Sequence, residues 1–279
     1  MGGTKGVWHK GRVLALHSGK GKLCLIAAAV LVCAVCGGII NMGVGAAITA
    51  EASTPKTVQK PPYELHTKPP YTVAIDAGHG DTDIGAEGLI KEIQLCESTA
   101  DSLCAWLCED ANYKVVRTRK TGEDPNSAER AQVATQNKAD LFFSIHANCD
   151  KSTGQSHGFE CFPTPPGRYY SEQSMDFAKC VAKAMQDAGH RLRGETGIRF
   201  AYYNGKSKRI VDSSDDKVRT LKSFGVVEKV FCPAVLAEQC FITNKNDVDV
   251  WASDEGCARA AHIYYKAICA YFGTVPKQM

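Results

Sequence analysis

Three apolar runs in this chain each stop at a residue with chemistry of its own, and that repetition most restricts the fold. Ile75-Asp76 leads into Ala77-Gly78-His79-Gly80, so one strand-like run ends at a histidine flanked by glycines. A second run, from Leu141, reaches Ser144-Ile145-His146-Ala147-Asn148, and a third, Ala234-Val235-Leu236-Ala237, ends on Glu238. Short apolar runs bounded by glycine or polar residues read as buried strands. Thirteen residues after His79, Glu92 heads a segment in which Leu95, Thr99, Leu103, Trp106 and Leu107 recur at helical spacing. Two histidines and one carboxylate, delivered from element ends, form the His/His/Glu set by which a catalytic zinc is held with one position left open. Glu238 is then the separate acid that such a site needs to carry a proton.

Strands are expected at 71–76, 113–117, 141–146, 158–162, 226–231 and 234–238, and helices at 92–109, 128–137, 171–188 and 254–272. This alternation argues for an α/β fold: a single domain with a mixed, mostly parallel β-sheet flanked by helices on both faces. Ligands at strand C-termini fit the usual placement of sites in open α/β sheets. Residues 190–222 break the order, being rich in Arg, Lys, Asp, Ser and Gly. They read as a solvated surface excursion, a lid over the groove, or the docking site of an activator protein. A segment this polar is expected to bury little surface.

The first 50 of the 279 residues differ from the rest. Residues 1–22 carry five basic side chains and no acid, as a cytoplasmic N-terminal segment does. Residues 23–50 are uncharged. They suit either a signal peptide or a single membrane-spanning anchor, which needs about 20 apolar residues. Either reading sends the remainder out of the cytoplasm, secreted or membrane-anchored. Residues 51–70 are proline-rich and read as an extended linker to a catalytic domain at 71–274. Without its first 50 residues the chain keeps 28 basic against 30 acidic residues, a balance of −2 that offers no case for binding nucleic acid. Most of the 13 cysteines are expected as free, buried thiols, since several fall at helical spacing or in apolar runs; one or two disulfides remain an alternative.

Within the candidate site several choices stay open. Glu87 shares a loop with Glu92 and could replace it. Asp76 and Asp81 flank His79 and are candidates to orient its ring. Gly78 and Gly80 are expected to let the backbone bend at His79. Asn148 and Asn244 either contact substrate or cap turns. His157, His190 and His262 read as surface or packing residues.

The segments IDAGHG, ADLFFSIHAN and PAVLAEQCFITNKND, in this order, resemble those of the zinc-dependent N-acetylmuramoyl-L-alanine amidases of the type 3 cell-wall hydrolase family. Thr118-Arg119 and Glu129-Arg130-Ala131 look like two further family markers. The chain departs from the pattern after Glu92, and at Cys240, where a glycine is expected; the latter hints at altered local backbone geometry. The resemblance implies Zn2+ on His79, Glu92 and His146, with Glu238 as general base and acid. It also implies peptidoglycan as substrate, cut between the N-acetylmuramic acid lactyl group and L-alanine, in the extracytoplasmic bacterial envelope. The residues alone support an exported zinc hydrolase. That leaves a zinc peptidase acting within the stem peptide, or a catalytically silent wall-binding protein of the same fold, as alternatives.

Overall fold

Along β1 (Tyr71–Ala77) every residue is buried, and successive side chains leave toward opposite faces. Val73, Ile75 and Ala77 enter one core and Ala74 the other. The same division recurs in β3 (Leu141–Asn148), where Phe143 and Ile145 oppose Phe142. In β7 (Ala234–Phe241), Val235 and Ala237 oppose Ala234 and Leu236. Strands covered on both faces belong in the middle of a sheet, which explains their nearly unbroken apolar character.

A computed structural model describes residues 60–278. β2 (Tyr113–Arg117) and β4 (Glu160–Pro163) lie at the edges of a five-stranded sheet of order β2-β1-β3-β7-β4. All neighbours run parallel except β4, which is antiparallel to β7. Helices α1 (Glu92–Cys108), α3 (Ser171–Asp187) and α6 (Asp254–Phe272) close the larger core. Helices α2 (Ser127–Gln136) and α4 (Gly225–Lys229) close the smaller one. This is the single α/β domain, mixed and mostly parallel, that the alternation of segments predicts.

The details depart from expectation in four places. Residues 226–231 form no strand; 226–229 lie in α4 instead: periodicity cannot assign a run this short, and Val226 and Val227 are buried in the smaller core. β7 does not stop at Glu238. His146 faces Glu238 but Asn148 faces Phe241, so β7 carries one extra residue there, a bulge beside the candidate site. Residues 190–222 are no loose excursion. Within them β5 (Arg199–Asn204) and β6 (Ser207–Asp212) pair as a hairpin that buries Phe200, Ala201 and Tyr202, and an isolated bridge joins Ile198 to Cys161 of β4. The proline-rich linker, over its described part, rests on the domain: Tyr63 Oη donates to the Ala139 carbonyl (2.9 Å) and His66 N to Asp140 Oδ1 (2.6 Å).

The basic segment 1–22 and the export segment 23–50 lie outside the described residues. Among those described, no helix is long and apolar enough to cross a membrane. All ten described cysteines are free, six of them buried.

The C-terminal end of β1 is tied down by charge. Asp76 is fully buried and accepts hydrogen bonds from Thr118 Oγ1, Ser144 Oγ (2.6 Å) and Arg130 Nη1 (3.0 Å). Arg130 also donates to the Ala77 and His79 carbonyls. Arg119, itself buried, donates to those of Ala77 (2.9 Å) and Gly78 (3.0 Å). Removing one partner of a buried pair strands the other, at about 3–5 kcal/mol. Arg130→Met is therefore expected to lower stability by about that amount, read as a drop in the urea midpoint. Arg130→Lys should recover only part, because an ammonium cannot reproduce the fork.

Candidate metal centre

His79 follows directly on that clamped turn and adopts a left-handed conformation, φ 65°, which costs a non-glycine residue energy. Neither Gly78 nor Gly80 has positive φ; the bend expected of them is made by His79 itself. Their small size serves close approach instead. A Cβ on Gly78 would lie 2.3 Å from the His146 ring, and one on Gly80 2.5 Å from Asp124 Oδ1. The His79 ring is oriented by Asp83, not by Asp76 or Asp81: Nδ1 lies 2.9 Å from Asp83 Oδ2, while Oδ1 of the same carboxylate accepts the Gly85 N–H (3.0 Å). Asp76 is spent in the network beneath, and Asp81 is exposed.

Glu92 is the first residue of α1, where the helix dipole favours an anion. Its Oε2 accepts the Ala86 N–H and its Oε1 the Ala147 N–H, each at 3.0 Å. Glu87 is exposed and pairs by its backbone with Lys91, so Glu92 is the acid that faces the histidines. His146 stands near the C-terminal end of β3, in register with Glu238 on β7, so both project from the same face. Glu92 Oε1 lies 2.9 Å from His79 Nε2 and 3.1 Å from His146 Nδ1, and the two ring nitrogens are 3.2 Å apart. The three residues offer ligand atoms within 4.8 Å of one another. In a tetrahedral zinc site with bonds near 2.0 Å, neighbouring donors sit about 3.3 Å apart. The nitrogen and oxygen donors here are of the type and spacing such an ion accepts.

The two glutamates of this region are driven in opposite directions. Burial would raise Glu92, but hydrogen bonds from His146 and His79 hold its carboxyl well below the usual range. Burial would lower His79, yet Glu92 first and Asp83 second carry it up to about 9. Glu238 is 8% exposed. Burial, then the charges of Glu92 and Glu160, push its carboxyl well above the ordinary range, against the weaker pull of Lys208 and His79. Its Oε2 has no hydrogen-bond partner among the described residues. A carboxyl raised in this way favours holding a proton.

His79, Glu92, His146, Asn148, Lys208 and Glu238 line one cavity of about 380 Å³, with Phe224. Asn148 donates to Glu160 Oε1 (2.8 Å). Asn244 instead caps α5 (Lys245–Asp247). His190 is buried against Trp251 and His262 stacks on Trp106, both packing residues. A larger cavity, about 530 Å³, shares none of these residues; its one carboxylate, Glu228, is tied to Arg168 at 2.7 Å. Asp83, Lys208 and Phe224 are additions to the sequence-derived set. Only Asp83, an acid four residues beyond His79 in a glycine-rich loop, left a signal there.

A family model described as N-acetylmuramoyl-L-alanine amidase matches residues 73–270. An uncharacterized cell wall amidase of Bacillus anthracis is 26% identical over 210 residues, 72% of this chain and 35% of that protein. The amidase LytC of Bacillus subtilis (strain 168) is 28% identical over 204 residues, again 72% of this chain and 35% of its own length. The chain thus spans about a third of each of these two relatives. The catalytic domain of the amidase CwlV from Bacillus (Paenibacillus) polymyxa var. colistinus superposes with a TM-score of 0.59 at 27% identity, covering 74% of this chain and 99% of that one.

The raised His79 value fixes a pH dependence. Without metal, protonated His79 stabilises the fold fully below its ordinary 6.5, and that contribution disappears as pH rises through about 9. The melting temperature of chelator-treated protein is expected to fall across this window. Added Zn2+ should release protons and remove the slope. A metal-free stability flat from pH 6.5 to 9 would contradict the pairing of His79 with Glu92.

Proposed function

Because the chain belongs to the N-acetylmuramoyl-L-alanine amidase family, we propose that it hydrolyses the amide between the lactyl group of N-acetylmuramic acid and the L-alanine of the peptidoglycan stem peptide. His79, Glu92 and His146 would hold a zinc ion, and Glu238 would carry the proton. The observation that supports this most is the meeting, in one cavity, of a three-donor cluster with a buried carboxyl that has a free oxygen.

An amide resists hydrolysis because water is a poor nucleophile and an amine a poor leaving group. Zinc, when bound, supplies Lewis acidity, bringing the pKa of a water to about 7. The remaining tasks fall to side chains. Asp83 holds His79 Nδ1, so that Nε2 faces the cluster. Glu92, kept anionic by its two imidazole neighbours and two backbone N–H groups, supplies the negative charge that a dication requires. Glu238 takes the proton of the attacking water and returns it to the departing nitrogen. Burial, then the charges of Glu92 and Glu160, favour a proton on Glu238, which lets it hold that proton for the departing nitrogen.

This substrate lies outside the cytoplasm. Residues 23–50 are accordingly proposed to direct export, as a cleaved signal or an anchor, with residues 51–70 joining them to the domain. The hairpin of β5 and β6 borders the cavity, so an activator protein docking on residues 190–222 would act at the site directly.

The test is metal content and muropeptide products. One zinc per chain, with stem peptides released starting at L-alanine, is the expected result. Glu238→Ala should keep zinc and lose turnover by roughly 10²–10⁴-fold, whereas Glu92→Ala should lose both. Cuts within the stem would make the protein a peptidase, and folded protein with neither zinc nor products would make it a silent wall-binding module.

A further inference from the structure

Among the described residues, Lys208 is the one lysine or arginine that lines the cavity of His79, His146 and Glu238. It arrives there from β6, and its Nζ lies 5.2 Å from the ring centroid of Phe224, which lines the same cavity. The neighbouring cations are already engaged. Arg199 pairs with Glu160 (2.8 Å) and Asp212 (3.7 Å), Arg193 with Glu160 (3.4 Å), and Arg219 with Asp215. Lys208 forms no ion pair among the described residues. The hairpin that carries it is nonetheless tied to the sheet. The Arg199–Glu160 pair ties the hairpin to β4, and Glu160 stands in register with Glu238 across β4 and β7.

We propose that Lys208 is a specificity-determining residue that binds a free carboxylate on the peptide side of the scissile amide, with Phe224 packing against the adjoining aliphatic carbons. This rests on the amidase reading of the same cavity. The side of the bond follows from charge. In the proposed substrate the lactyl carboxyl is consumed in the amide, and the sugar offers only neutral hydroxyl and acetamide groups. Carboxylates lie on the stem peptide, so an unpaired ammonium has its match there. Lys208 is exposed, so the preference it gives is modest, roughly three- to tenfold.

The test uses zinc-loaded protein and two muramoyl peptides that differ only in whether the stem carboxylates are free or converted to carboxamides. The wild type is expected to show a KM roughly three- to tenfold lower for the free acid. Lys208→Met should bring that ratio close to one, and Lys208→Arg should keep most of it. Arg209→Met, on the opposite face of β6, should leave the ratio as in the wild type. Affinities for the two released stem peptides, measured by calorimetry, should follow the same pattern without any turnover. If Lys208→Met lowers kcat equally on both substrates and leaves the ratio intact, the lysine acts through Glu238 and the proposal is overturned. It is also overturned if the wild type shows no preference, or if Arg209→Met removes it equally. A Lys208-dependent ratio in a protein that cuts elsewhere in the stem would uphold the carboxylate anchor while the amidase reading failed.

Discussion

Two guanidinium groups hold the turn from which the candidate site is built. Arg119 and Arg130 between them accept no hydrogen bonds and donate to three consecutive carbonyls, those of Ala77, Gly78 and His79, just where β1 gives out. Without these donors the three carbonyls would lose those hydrogen bonds, which help to offset the left-handed conformation of His79. Asp76 neutralises Arg130 from below and joins the turn to β2 and β3 through Thr118 and Ser144. The placement of the first histidine is thus a property of the sheet rather than of a loop, which is what precise placement of donor atoms requires.

The glycines fit the same constraint from the other side. The His146 ring occupies the space that a side chain on Gly78 would fill, and His79 and Glu92 occupy that beside Gly85, whose φ of 70° also calls for glycine. Close packing of backbone against ring brings three donors together around one point. Burial works against a proton on His79, but Glu92 first and Asp83 second favour one, hence its raised value. A cation would take the place of that proton, so proton and metal compete for one position.

Much of this could be read in the sequence because buried parallel strands write themselves as apolar runs and their ends carry the side chains of the candidate site. His79, His146 and Glu238 were visible for that reason, and Glu92 because a helix visibly begins there. The pairs Thr118-Arg119 and Glu129-Arg130 stood out, but not their task, since they bond to backbone carbonyls that have no sequence identity; Glu129 serves by closing the capping box with Asn126 at the start of α2. Lys208 and Phe224 were hidden because only tertiary folding brings the hairpin and the segment before α4 to the site. The hairpin itself was obscured by its polar average, although Phe200, Ala201 and Tyr202 are buried. The assignment of 226–231 as a strand failed because two valines in a short run satisfy either period.

Glu160 shows how the fold gives one of two neighbouring carboxyls its ion pairs and leaves the other without. It faces Glu238 across β4 and β7, and both are nearly inaccessible. Two buried like charges at such positions cannot both persist unpaired. Glu160 is given Arg199 on Oε2, with Asn148 and Arg193 on Oε1. Among the described residues Glu238 receives no such partner, and Lys208 reaches its cavity without forming an ion pair with it. The arginines thus engage Glu160, while burial, then the charges of Glu92 and Glu160, raise Glu238. A guanidinium placed beside Glu238 instead would favour its carboxylate form and make it poorly suited to hold a proton and release it. The hairpin, through Arg199, thus bears on the electrostatics of the candidate site rather than lying apart from it.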